Sequence, residues 1–116
     1  MSDIQQLEIK QINGGVTTPK GFKASGAASN IKQSGNKDIA VVVSDKVAAA
    51  TAVFTTNKMA AAPVYVSKKH IADGRAQAVI INSGNANACT GEQGYRDAER
   101  MAKVTGIALG TDPGDV

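Results

Sequence analysis

At 116 residues and 11.9 kDa, with 42% hydrophobic and 3% aromatic residues, the chain holds one domain at most and must build its core mainly from alanine and valine. The net charge of +3 comes from dispersed Lys and Arg, of which only Lys68 and Lys69 are adjacent, and the aromatics Phe22, Phe54, Tyr65 and Tyr95 are scattered, so a nucleic-acid surface is disfavoured. The longest apolar run, Ile39 to Val43, is too short to cross a bilayer, the single cysteine cannot form an internal disulfide, and nothing resembles a secretory signal, which together favour a reducing, cytoplasmic setting.

Residues 1–14 alternate weakly through Ile4, Leu7, Ile9 and Ile12 and read as an N-terminal arm or a short edge strand; Gly14-Gly15 breaks the pattern. Thr18-Pro19-Lys20-Gly21 predicts a turn. Phe22 to Ile31, rich in small residues, predicts a strand that neighbours can approach closely, and Ser34-Gly35-Asn36 a second turn. Asp38 to Asp45 is β-branched and continuously apolar, as expected of a strand covered on both faces. Ala48 to Thr56 reads as its antiparallel partner across Asp45–Val47, and Pro63-Val64-Tyr65-Val66 as a further extended piece. Ser67 is positioned to cap a brief helix through His70 and Ile71, stopped near Gly74. Ala76 to Ile81 predicts another buried strand.

The next ten residues, Asn82-Ser83-Gly84-Asn85-Ala86-Asn87-Ala88-Cys89-Thr90-Gly91, carry three asparagines at the point where this strand hands over to a helix. Amide side chains and glycine there can bind polar groups or brace the backbone of the turn. Thr90 and Gln93 have the spacing of a capping box, Glu92 suits the positive end of the helix, and Tyr95, Ala98, Met101, Ala102 and Thr105 share one face. Gly106 or Gly110 ends the helix, and Asp112-Pro113-Gly114-Asp115 makes a turn after which Val116 reads as the first residue of a strand. The order of elements predicts an α+β or mixed, layered α/β fold. The thin core suggests that the fold needs more chain or a partner.

No complete catalytic set emerges from the residues. Cys89 precedes a helix N-terminus, where a thiolate is favoured, but the single histidine, His70, lies in another element, and a packed thiol is the better reading. His70 has no His or Cys at metal-ligand spacing. Ile81-Asn82-Ser83-Gly84-Asn85 lacks the first glycine of a nucleophile elbow, and the turn fits neither the Walker nor the dinucleotide fingerprint. Read on its own, the asparagine turn is structural.

Four segments in order, Gly15 to Phe22, Val53-Phe54-Thr55-Thr56-Asn57, Ala62-Pro63-Val64, and Asn82 to Gly91 followed by Glu92-Gln93-Gly94, resemble the N-terminal part of the ornithine acetyltransferase (glutamate N-acetyltransferase) family of arginine biosynthesis. The resemblance runs from about Gly15 onward, so that residues 15–116 correspond to the N-terminal portion of the family's α chain. It implies part of an N-terminal-nucleophile-like fold with α/β/β/α layers, incomplete in this chain. It also implies a precursor that cuts itself between alanine and threonine, the new N-terminal threonine carrying acetyl from N2-acetylornithine to glutamate through an acyl-enzyme.

The resemblance implies no metal or organic cofactor, acetyl-CoA as a further donor in some members, and a heterotetramer with the remainder of the α chain and the β chain. Neither nucleic acid nor membrane is an expected partner. The family's oxyanion pair, cleavage site and nucleophile fall beyond Val116, and Thr51, Thr55, Thr56 and Thr90 match none of them. The chain is therefore expected to be inactive by itself, with no catalytic, cofactor or metal residue of its own and with Asn82, Gly84, Asn85 and Asn87 forming a structural turn near the active site. The alternatives are a non-catalytic interaction domain or a small-molecule-binding module that reuses this half-fold.

Overall fold

The computed structural model describes residues 8–116; Ile4 and Leu7 of the expected arm lie outside the described residues, and residues 8–14 form neither strand nor helix. The turn at Thr18 is present, with the Thr18 hydroxyl accepting from the Gly15 N–H at 2.9 Å and the Thr18 N–H donating to the Gly15 carbonyl at 3.0 Å. From there the chain runs β1 (Phe22–Ala27), β2 (Ile39–Ala49), α1 (Ala62–His70), β3 (Arg75–Asn82) and α2 (Gly91–Leu109), with single 3-10 turns at Ile71–Asp73 and Pro113–Asp115. The three strands form one antiparallel sheet in the order β1-β2-β3, so the predicted mixed α/β class holds.

β2 is central because its β-branched run can be paired on both edges. Its register sets Val42 opposite Ala24 and Val79, and Ala40 opposite Gly26 and Ile81. The predicted reversal at Asp45–Val47 does not occur. That polar stretch is a register irregularity between Val43 and Ala48, after which β2 resumes its pairing with β3 through Ala48 and Ala49. A bulge absorbs the unpaired residues without turning the chain, which is why Ala48 to Thr56 is not a separate strand. Residues 51–57 are irregular, and Lys68 lies 5.5 Å over the Phe54 ring.

The extended reading of Pro63–Val66 is also corrected: these residues are the first turns of α1. Pro63 sits at the start of the helix, where its missing N–H is no loss, after Ala61 in extended conformation. Val66 is then buried, and Lys68, Lys69 and His70 face the negative end of the helix dipole. Packing and position outweigh the strand propensity of Val64, Tyr65 and Val66. Gly74, in the left-handed region at φ 74°, ends the segment as expected.

α2 buries Gly94, Ala98, Ala102, Thr105 and Gly106, a stripe of small residues that lets the helix approach its neighbours closely. Lys69 of α1 bridges to Glu99 at 3.0 Å. At its far end, a Cβ built on Gly106 would stand 2.9 Å from the Pro113 backbone, so the helix is seated directly on the 3-10 turn. Gly110 ends it at φ 69°.

Among the described residues only Val66, Ala78, Ala98 and Ala102 make up the buried hydrophobic core, and each keeps a trace of exposure. Both helices lie on the sheet face that carries Ala78 and Ile80. The opposite face carries Phe22, Val79 and Ile81, which are 38%, 54% and 48% exposed. The expectation that the apolar strands are covered on both sides is therefore met on one side within these residues. No helix among the described residues is long and apolar enough to cross a membrane.

Candidate functional site

The asparagine turn leaves the end of β3 and enters α2, and its side chains divide into two groups. The Asn82 amide donates to the Asn85 carbonyl at 3.0 Å, closing the turn on itself. The Asn87 amide donates to the Gly94 carbonyl at 2.7 Å, and its oxygen accepts from the Thr90 hydroxyl, which ties the turn to the first turn of α2. Asn85 takes part through its carbonyl, and its residue is exposed. Three positions take left-handed backbone: Gly84 at φ 95°, Cys89 at 57° and Gly91 at 63°. Glycine is required most clearly at Gly84, where a Cβ would combine that backbone with a 2.6 Å approach to Lys32 Cγ.

The expected capping box is not formed. Thr90 sits at φ −104°, ψ 2°, outside the extended region that aims a cap hydroxyl back at the helix N–H groups, and its hydroxyl bonds Asn87 instead. Gln93 is drawn to Asp97 at 2.8 Å, and Glu92, in the first turn as expected, pairs with Arg96 at 3.3 Å.

Beneath the turn is a cavity of about 530 Å³ between the sheet and the two helices. Ile39, Ala78 and Ile80 form its floor, Val66, Ala98 and Met101 its walls, and Asn82, Asn85, Asn87 and Thr90 contribute polar atoms. His70 also lines it, but its Nδ1–H donates to the Val116 carbonyl at 2.7 Å. Cys89 is exposed and is not among the lining residues, so the structure does not join the thiol and the imidazole in one site. Thr55 and Asn57 hold their own loop, accepting backbone N–H groups at 3.1 and 2.9 Å. Among the described residues no cluster of His, Cys, Asp or Glu is arranged to hold a metal ion. The polar part of the cavity can therefore orient a ligand through amides and hydroxyls, and it offers no assembled base and nucleophile.

Two contributors escaped the sequence reading. Gly94 makes room for the Asn87 and Thr90 side chains, which occupy the place where a Cβ would stand. Asp38, 3% exposed, accepts from the Ser29 N–H and hydroxyl and the Ile31 N–H at 2.7 Å each, and from the Lys32 N–H at 3.0 Å. An acid at a strand start is too common for its position to signal this. The Lys32 N–H, then the Ser29 hydroxyl, with smaller help from the Ser29 and Ile31 N–H groups, lower its pKa from 3.8 to about 2 against the opposing effect of burial.

A depressed carboxylate stabilises the fold above its unfolded pKa and loses that contribution as pH falls through the folded one. The stability difference between the full-length protein and its Asp38→Asn variant is accordingly expected to be constant above about pH 5 and to shrink steadily between about pH 4 and pH 2. Urea unfolding across that range measures it; a difference that persists unchanged at pH 2 would show that the carboxylate's charge is not what these bonds require.

The sequence profile of the ArgJ family matches residues 23–116, a stretch that contains the whole asparagine turn. The arginine biosynthesis bifunctional protein ArgJ of Symbiobacterium thermophilum is 52% identical over 107 residues, covering 90% of this chain and 27% of that protein. ArgJ of Caldanaerobacter subterraneus subsp. tengcongensis is 49% identical over 105 residues, covering 90% of this chain and 26% of that protein. Among solved structures, ArgJ of Bacillus halodurans superposes with a TM-score of 0.86 at 41% identity, over 89% of this chain and 54% of that one. Ornithine acetyltransferase of Mycobacterium tuberculosis, solved in complex with ornithine, gives 0.83 at 42% identity, over 88% of this chain and 56% of that one. The chain spans about a quarter of the length of the curated relatives it matches.

Proposed function

The chain belongs to the ArgJ family, and from that premise we propose that it is the N-terminal portion of the α chain of an arginine-biosynthesis acetyltransferase, residues 15–116 forming the body of that portion. The complete protein moves acetyl from N2-acetylornithine to glutamate. The observation that carries this reading is the identity of about one residue in two to ArgJ proteins over nine-tenths of the chain. The solved ornithine acetyltransferase in complex with ornithine supports the substrate class.

In this reading a threonine outside these 116 residues is the nucleophile. Its hydroxyl attacks the acetyl carbonyl while its own α-amine takes the proton, and collapse of the tetrahedral intermediate expels ornithine with that proton and leaves a threonine ester. The glutamate amine then attacks the ester, and the threonine oxygen leaves and is reprotonated. The residues of this chain build and brace the scaffold: the asparagine turn stands near the active site, and the open face of the sheet receives the second sheet of an α/β/β/α arrangement. Two-chain maturation is supported by proportion. The segment fills about a quarter of the curated relatives but more than half of each solved chain, so the solved chains are about half as long as the curated sequences. The partners are then the rest of the α chain and the β chain in a heterotetramer, in the cytoplasm, with acetyl-CoA as a second donor.

The test is acetyl transfer from N-acetylornithine to glutamate by the full-length protein and by the isolated 116 residues. Transfer is expected from the first and none above background from the second. Turnover that stays with the isolated segment through repurification would relocate the chemistry to these residues, and an inert full-length protein would remove the reaction altogether.

A further inference from the structure

We propose that Asp38 is the positioning residue of the asparagine turn, its carboxylate clasping the loop on which that turn is seated. The proposal rests on the reading that the turn stands near the active site, and it names the residue that sets its geometry.

Residues 28–37 contain no regular structure, and Asn30 takes left-handed backbone at φ 64°. The Ser29, Ile31 and Lys32 N–H groups and the Ser29 hydroxyl all converge on the Asp38 carboxylate, so one side chain supplies what a strand ladder would otherwise supply to that loop. An acid that only closed its own loop would stop there. Here the same loop touches the turn: a Cβ on Gly84 would meet Lys32 Cγ at 2.6 Å and Ile31 Cγ2 at 3.4 Å, so both side chains lie against the Gly84 backbone. From the other side, the Asp38 carbonyl accepts the Ser83 N–H at 2.9 Å. Asp38 thus bonds the turn through its backbone and supports it through its side chain, by way of Ile31 and Lys32. With its pKa held near 2, the carboxylate stays charged and the clasp stays shut throughout the physiological range.

The experiment uses the full-length enzyme. Asp38→Asn replaces one acceptor oxygen with an NH2 group that faces other donors, and Ser29→Ala removes only the hydroxyl bond, which keeps the test available if the first variant fails to mature. Backbone amide exchange, unfolding midpoints and acetyl-transfer kinetics are read for both. Exchange at residues 29–32 and 82–87 is expected to accelerate by about tenfold or more in Asp38→Asn, with kcat down by about tenfold and KM within about twofold, and with smaller changes of the same kind in Ser29→Ala.

Unchanged exchange across 82–87 in both variants would overturn the proposal. So would a loss of protection spread evenly over β2 and α2, because Asp38 would then be a general stabiliser. Local acceleration with unchanged kcat would uphold the clasp and instead remove the turn from the active site. Asn85→Ala, which leaves the clasp intact, tests that placement separately through its own kcat and KM.

Discussion

Produced by itself, the 116-residue segment is expected to elute well above its 11.9 kDa monomer mass and to show weak amide protection in β2 and β3. The cause is the bare sheet face. Val79 and Ile81 stand opposite Val42 and Ala40, and Ala24 lies opposite Val42 with Phe22 on the same face, which makes an apolar surface. The far side offers only four buried hydrophobic side chains among the described residues. Burying each large aliphatic group contributes roughly 1.5–3 kcal/mol, so pairing two such faces offsets much of what the thin core lacks. Val79→Lys together with Ile81→Lys should shift the segment toward monomer without restoring a cooperative melt, because the charges remove the adhesive surface and add no core. A monomer with strongly protected β2 amides and a sharp two-state transition would show that one covered face is enough.

Gly94→Ala is the second expected large effect, and its sign runs against helix propensity. Alanine in place of a helical glycine ordinarily stabilises by about 1 kcal/mol. Here the added methyl would overlap the Thr90 and Asn87 side chains, and displacing them leaves the Gly94 carbonyl without its amide donor. Losing that part-buried bond costs about 1–3 kcal/mol and the overlap of the methyl with Thr90 and Asn87 about as much again, so net destabilisation of about 1–5 kcal/mol is expected in urea unfolding of the full-length protein. Asn87→Ala should cost a similar amount, and the double variant less than the sum, because both remove the same brace. A stabilised Gly94→Ala would mean that Thr90 rotates away freely and that the turn is fastened elsewhere.

What could be read from the sequence follows from how local each signal is. α2 was legible because its buried stripe repeats at helical spacing through Ala98, Ala102 and Thr105 and ends at Gly110. The central strand was legible from Ile39 to Val43, but its extension through the Asp45–Val47 irregularity was not, since a bulge and a hairpin turn use the same polar residues. α1 was misread as extended over Pro63–Val66 because its helical state depends on where Val66 packs, which no local pattern states. The asparagine block announced itself by composition. Its division of labour, with Asn82 and Asn87 bonded through their amides and Asn85 through its carbonyl, depends on partners at Gly94 and Thr90 that become neighbours only when the turn closes. The loop clasped by Asp38 and the seating of Gly84 on it lay further out of reach, because they join a segment before β2 to one after β3.

Cys89 gives the asparagine turn a chemical handle. It is the single cysteine in these 116 residues, it is exposed, and it stands between the Asn87 brace and the start of α2. A maleimide fluorophore or nitroxide attached there would sit on the backbone whose motion the Asp38 and Gly94 variants are meant to release. Its emission or line shape would follow the turn in solution, during assembly with the rest of the protein and on addition of N-acetylornithine. Standing outside the cavity, Cys89 thus becomes a built-in probe, able to separate a turn that loosens from one that stays rigid while catalysis changes.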